Sequence, residues 1–324
     1  MAPVFQHVSL GEIALDDHTF IVTYRPEMQA LQRSVARVGV LTPIHLRRPA
    51  LHAPLQVVCG SKRLQACQLT GHTTVPALIH TANELPALQA LLLAVHDNLG
   101  CRSLNVIEKA RILYRLREQF SYTTATLSEE FCPLFDLPPR ADTVEAYCLL
   151  ATMEDAVQAA TVAGALPIET AVWIGSHLPD DRHALLALFT GLHLGSNRAR
   201  EFATWIDELC QRDACQVAEL FQRLDIPVLL ADLQHPGPQK VETIRRRLRQ
   251  ARYPQLSTHE QRFQEACRRL RLPPQITLRP PPYFEGAHYQ ITFAFSQRQE
   301  LHHYAQRLLD AAAADILDEL LDLL

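Results

Sequence analysis

Gly60 stands between a short run of β-type residues, 56–59, and a helix-forming run, 61–70. A glycine at such a junction allows a tight turn and a close backbone approach to a ligand. The first N–H groups of the following helix have no partner within it, and the helix dipole favours negative charge there. Lys62 and Arg63 add cationic donors, and arginine can grip phosphate with two bonds. The segment Gly60-Ser61-Lys62-Arg63 therefore predicts an anion site on a strand–turn–helix unit. The surroundings fit such a unit. Residues 8–13 and 20–22 are short β-type runs, and 28–38 has helical spacing with Leu31, Val35 and Val38 on one face. Gly39 sits where a helix would end. Residues 44–47 and 75–79 read as further strands, with a turn at 49–54. This pattern is α+β and not a repeated βαβ.

After residue 85 the chain becomes leucine-rich. Residues 85–97, 104–120 and most of 124–225 read as helices, and Pro133, Pro138, Pro139 and Pro167 mark their boundaries. The run His235–Pro238 reads as a linker. Beyond it, residues 240–271 hold ten basic and three acidic side chains, while the remainder of the chain carries a net charge of −11. Strands at 275–278 and 288–295 and a helix from 300 to the C-terminus form a small last unit. With 324 residues, 48% of them hydrophobic, two or three domains are expected, divided here as 1–100, 101–234 and 235–324. The eight cysteines form no CxxC pair and no zinc-spaced Cys/His cluster. Reduced thiols, no leader peptide and no apolar run of membrane length predict a cytoplasmic protein with no membrane partner. The overall net charge of −4 gives no general case for nucleic-acid binding.

Two further segments accompany the anion turn. One is Gly39-Val40-Leu41-Thr42-Pro43-Ile44. The other is Asp97-Asn98, followed by Arg102 and Leu104-Asn105-Val106-Ile107-Glu108. A carboxylate beside an amide suits Mg²⁺ shared with phosphates. Taken singly, the turn also reads as a solvated basic loop and Asp97-Asn98 as a helix cap. In order and spacing, the three segments resemble those of the ParB family: its Gly-[Ile/Leu]-x-x-Pro-[Ile/Leu] segment, its Gly-x-[Arg/His]-Arg phosphate loop, and its [Glu/Asp]-Asn…Arg-x-Leu-Asn-x-x-Glu segment. The resemblance covers residues 8–115 well and continues more loosely to about 210.

That resemblance implies a ParB/sulfiredoxin-like N-terminal domain, an all-α helix-turn-helix-type middle domain and a small α/β C-terminal unit. It also implies that Gly60, Ser61, Lys62, Arg63 and Arg102 bind the phosphates of CTP or another nucleoside triphosphate. Thr42, Pro43 and Ile44 would line the base or ribose pocket, Asn98 would bind Mg²⁺, and Asp97 would position metal or water, as in a Mg²⁺-dependent triphosphatase. The loop departs from the family's usual Gly-Glu-Arg-Arg, and Asp97 stands where Glu is usual. Those changes bear on base choice and hydrolysis more than on phosphate binding. The related sulfiredoxins use a cysteine at the position of Ser61, and a serine cannot do that redox chemistry. Cys59 ends an apolar strand and is expected in the core.

Residues 126–132 and 140–150 occupy the helix-turn-helix position, but the segment 123–150 holds five acids and one base, Arg140. Base readout normally needs Arg, Lys, Asn or Gln, so a structural three-helix core and a DNA reader both remain open. Arg245, Arg246, Arg247 and Arg249 would present a cationic face for non-specific phosphate contact; pairing with the acidic remainder of the chain is the alternative. The combined expectation is a dimeric, nucleoid-associated, nucleotide-binding protein with a partition or regulatory role, DNA as partner and a partner ATPase. The alternatives are a phosphotransferase or nuclease on the same fold, or an interaction protein without catalysis.

Overall fold

The computed structural model describes residues 3–313 and 316–323. Two compact units divide the chain, Met1–Leu178 and Pro179–Leu324.

The first unit is built on a four-stranded sheet of β1 (Val4–Ser9), β2 (Ile44–Arg48), β3 (Gln56–Cys59) and β4 (Thr74–Thr81), in the order β1-β4-β2-β3. Three helices serve it: α1 (Gln29–Val38), α2 (Ser61–Leu69) and α3 (Ala87–Leu99). The β2–β3 hairpin is antiparallel; β3 then turns at Gly60 into α2, and the chain returns as β4 parallel to β2. The alternating apolar residues of these strands, Ile44, Leu46, Val57, Val75 and Ala77, bury one face against Val35, Leu64, Ala66 and Cys67 of α1 and α2. Helix α3 packs against β3 and buries Ala90, Leu91, Ala94 and Val95.

Helix α4 (Val106–Phe120) opens on a reciprocal cap. Asn105 Oδ1 accepts from the Ile107 and Glu108 N–H groups at 3.0 and 2.9 Å, and Glu108 Oε2 accepts from Asn105 N at 2.9 Å. Leu-Asn-x-x-Glu is thus a helix start. A helical stretch over 124–134, with a π turn at Leu127–Phe131, and the helices Ala141–Ala151, Asp155–Val162 and Ile168–Gly175 complete the unit.

Several expectations change. Residues 20–22 form no strand. Phe20, Val22 and Tyr24 are buried in alternation, so their β-like pattern records side-chain burial without a ladder partner. The first strand ends at Ser9, which caps a 3-10 turn at Leu10–Glu12. Val38 lies off the buried face and is 55% exposed.

The second unit is helical through Pro179–Leu192, Ser196–Asp213, Val217–Arg223, Ile226–Ala231, Gly237–Arg252 and Pro254–Leu270. The expected linker at 235–238 is instead half absorbed: Pro236 is the N-cap and Gly237 and Pro238 open a helix. A proline's fixed φ and missing N–H suit a first helical turn. The last strands shrink to a hairpin of Thr277–Arg279 with Gln290–Thr292. The expected terminal helix covers Arg298–Ala312 and Ile316–Leu321; residues 314, 315 and 324 lie outside the described residues. No helix among the described residues is long and apolar enough to cross a membrane.

Candidate functional site

Gly60 has φ +90°, and a Cβ there would lie 2.6 Å from Ile44 Cγ2. Both the left-handed backbone and the contact require glycine. The turn aims the N-terminus of α2 at a cleft of about 400 Å³, lined by Thr23, Arg25, Ser61, Lys62, Arg111 and Arg115 among others. Four of these are cations. Burial pushes the Lys62 amine down, and the nearby Arg102 guanidinium adds to this, while Glu108 opposes it. Burial likewise lowers Arg115, with Arg111 contributing. Crowded, partly desolvated cations favour an anion between them.

The cleft cations are held in place from the unit's helical side. Arg115 Nη1 donates to Ile21 O at 2.8 Å and Arg111 Nη2 to Gln158 Oε1 at 2.7 Å. The Arg111 guanidinium stacks over the Tyr24 ring at 4.4 Å. Tyr24 donates its hydroxyl to Asp155 Oδ1 at 2.8 Å, and Arg25 pairs with the same carboxylate. Burial, followed by Asp155, pushes the Tyr24 hydroxyl up to about 12.

On another side of the turn, Arg63 Nη1 donates to the Thr42 and Pro43 carbonyls at 2.6 and 3.0 Å, pinning that loop to α2. Asp97 lies near the Cys59 thiol, which burial first and Asp97 second push up to about 12. His45 Nδ1 and His80 Nε2 share a hydrogen bond of 3.1 Å with the rings stacked. Burial lowers both imidazoles. His80 and Arg63 lower His45 further and Asp97 opposes; Glu84 opposes the shift of His80.

The third group is a carboxylate hub. Glu108 is 1% exposed. Its oxygens accept from Arg102 Nη1 and Nη2 at 2.6 and 2.8 Å and from Tyr24 N at 3.0 Å, besides the cap bond. Arg102 Nη2 also donates to Asn98 Oδ1 at 2.9 Å, and Asn98 Nδ2 to Ala94 O at 2.8 Å. Arg102 thus supports the Thr23–Tyr24 wall from behind.

The structure therefore brings the three segments around one turn but separates their members. Ser61 and Lys62 face the cleft. Arg63 holds Thr42 and Pro43, with Ile44 in the core beneath Gly60. Asp97 sits with Cys59, and Asn98 and Arg102 belong to the hub. The Mg²⁺ expected at Asn98 does not fit this donor set: the amide oxygen already faces a guanidinium, and a second cation there would be repelled. Arg25, Arg111 and Arg115 escaped sequence reasoning. The i, i+4 spacing of Arg111 and Arg115 on one helix was the available signal; nothing in the sequence marked Tyr24 or Arg25.

The candidate DNA-contacting residues are also engaged. Arg140 Nη2 pairs with Asp142 Oδ2 at 2.7 Å, directly before the helix Ala141–Ala151. Glu145 accepts from Arg117 at 2.9 Å and from the Thr124 hydroxyl at 3.0 Å. Those acids are therefore partly neutralised, and the segment is less repulsive to phosphate than its composition implies. The expected cationic face of 240–271 is reduced within its own unit. Arg245 grips Glu201 and Arg249 grips Glu260, each with two nitrogens. Arg247 bonds Leu224 O and Asp225, and Arg246 is exposed.

The first unit is thus an α+β domain whose glycine turn opens a helix onto a cationic cleft. Residues 5–96 match the family model "ParB N-terminal domain". A probable chromosome-partitioning protein ParB of Neisseria meningitidis serogroup A is 33% identical over 102 residues, 32% of this chain and 34% of the relative. The match thus spans about a third of that relative's length. Two solved chains of the C-terminally truncated chromosome-partitioning protein ParB from Caulobacter crescentus also match. One, complexed to the centromeric parS site, has a TM-score of 0.36 at 23% identity and covers 61% of this chain and 98% of its own. The other, complexed with CTP-gamma-S, has a TM-score of 0.27 at 26% identity and covers 57% and 98%.

Proposed function

We propose that this chain is a ParB-like protein of the cytoplasm that binds a nucleoside triphosphate, of the CTP type, and associates with DNA in a partition or regulatory role. The observation that carries the reading is the cleft at the Gly60 turn, where the N-terminus of α2, Lys62 and Arg25, all within the stretch matching the ParB N-terminal model, meet Arg111 and Arg115 of α4. Free helix N–H groups and converging cations are what a polyphosphate requires. Ser61 and Lys62 take the phosphates. Arg63 acts by holding the Thr42–Ile44 loop, and Arg102 by holding Thr23 and Tyr24 through Glu108. Any Mg²⁺ arrives on the phosphates with its own waters, since Asn98 is engaged by Arg102. DNA is contacted from the helix Ala141–Ala151 and its preceding Arg140, and a second copy of the chain and a partner ATPase complete the system.

One observation favours binding without turnover as a second reading: Asn98, the expected metal partner of Asp97, is engaged by Arg102. A panel of CTP, ATP, GTP and ADP, titrated by calorimetry with and without DNA and with and without Mg²⁺, tests both. Saturable triphosphate binding weakened by Lys62→Ala is expected, and released phosphate measured in the same samples separates turnover from binding. No binding by any member of the panel would overturn the nucleotide assignment.

A further inference from the structure

We propose that Cys210 and Cys215 are a modification site: a thiol pair that peroxide-class oxidants convert to a reversible intramolecular disulfide at the C-terminal end of the helix Ser196–Asp213. The geometry begins with how that helix stops. Ala214 takes the left-handed conformation, with φ 48°, and its N–H reaches back to Cys210 O. Cys215 N donates to the same carbonyl at 3.1 Å. A bond from the second residue past the helix to the last turn folds that residue's side chain over the turn, where an apolar pair usually meets. Here the residues at those two positions are Cys210 and Cys215.

Access distinguishes this pair. Both cysteines are partly exposed, whereas Cys59, Cys67, Cys132 and Cys148 are buried. Cys101 is exposed and Cys267 partly so, but among the described residues no backbone hydrogen bond folds either against a second cysteine. Asp181 and Asp207 face the pair, and Asp181 Oδ1 also accepts from Ala218 N at 3.1 Å at the start of the helix Val217–Arg223. A disulfide would therefore join the end of the helix Ser196–Asp213 to the segment that leads into the helix Val217–Arg223.

The chemistry balances with the peroxide as sole oxidant. The Cys215 thiolate attacks one peroxide oxygen, the O–O bond breaks, and an alcohol or water leaves, giving a sulfenic acid. The Cys210 thiolate then attacks that sulfur; the S–S bond forms and water leaves. Two thiols are oxidised by two electrons, and one peroxide bond is reduced. Burial, then Cys215, with Asp181 and Asp207 adding, pushes the Cys210 thiol up to about 12. Cys210 is thus protonated at neutral pH, which makes closure the slow step, faster as pH rises.

The test uses the reduced full-length chain, treated with hydrogen peroxide and followed by intact mass, thiol titration and peptide mapping. Free thiols should fall from eight to six, with a Cys210–Cys215 cross-linked peptide that dithiothreitol reverses. Closure should accelerate from pH 7 to pH 9. Cys210→Ser should leave a sulfenic acid on Cys215 that dimedone traps, and Cys101→Ser should leave the cross-link unchanged. Mapping of the lost thiols to any other pair, or oxidation of Cys101 while Cys210 and Cys215 stay reduced, overturns the proposal.

Discussion

Lys62 and Arg63 are neighbours in sequence with different duties in space, and substitutions should separate them. Lys62→Ala removes a cleft cation and should weaken triphosphate binding by about 1.5–3 kcal/mol with the fold intact. Arg63→Ala releases the Thr42 and Pro43 carbonyls, so it should lower stability as well as affinity. Calorimetry paired with thermal melts on both variants checks the split; equal affinity of Lys62→Ala and the parent for every nucleotide would remove Lys62 from the site. Glu108 is the least replaceable charge. Its carboxylate lies buried under Arg102 and two backbone N–H groups, and breaking a buried pair costs about 3–5 kcal/mol. Glu108→Ala should therefore unfold at a markedly lower urea midpoint, and one within 1 kcal/mol of the parent, an order-of-magnitude threshold, would show the hub to be dispensable.

At the scale of elements, the sheet carries a pH sensitivity. His45 on β2 and His80 on β4 share one hydrogen bond, and burial lowers both from the ordinary value of 6.5. The unfolded chain thus binds protons more readily than the folded one. Stability from the neutral pair is present above pH 6.5 and is lost as pH falls from there through the lowered folded values. Melting temperature followed from pH 8 to pH 5 should fall on the acid side, and His80→Asn should flatten that fall; an unchanged slope would assign the acid sensitivity elsewhere. Helix α3 offers a second contrast. Asn98→Ala removes an acceptor from Arg102 and should lower stability by about 1 kcal/mol while leaving any Mg²⁺ dependence unchanged. Loss of Mg²⁺ dependence in that variant would restore Asn98 as a metal ligand.

For the whole molecule, the charge distribution bears on the proposed contact with DNA. The arginines of 240–271 pair with Glu201, Asp225, Glu208 and Glu260 of their own unit, so a dense cationic face is not simply on offer. Replacing Arg245, Arg247 and Arg249 by Ala should change the salt dependence of DNA binding little, because those charges are already matched. Arg140→Ala should weaken binding, with Arg246→Ala contributing at most about one unit of salt slope. Fluorescence anisotropy over a salt series measures both. A steep salt slope abolished by the triple replacement alone would return the 240–271 segment to the DNA interface.

Sequence by itself determined the local structure: Gly60 between strand and helix, the cap of α4 at Asn105 and Glu108, the alternation that buries β2 and β4, and the likeness to a ParB N-terminal domain. Each of these is written in neighbouring residues, because turns, caps and periodic burial depend on spacings of a few positions. Where long, flexible charged side chains end up is set by partners far along the chain. Arg63 reaches back to Thr42, Arg102 closes on a carboxylate that is also bonded to Tyr24, Arg25 finds Asp155, and Arg245 finds Glu201. A buried or half-buried charge settles where an opposite charge or a carbonyl can repay its lost hydration. Only the packed chain decides which of several candidates is close enough, and so tertiary structure placed Lys62 in the cleft and bound Arg102 to Glu108 and Asn98.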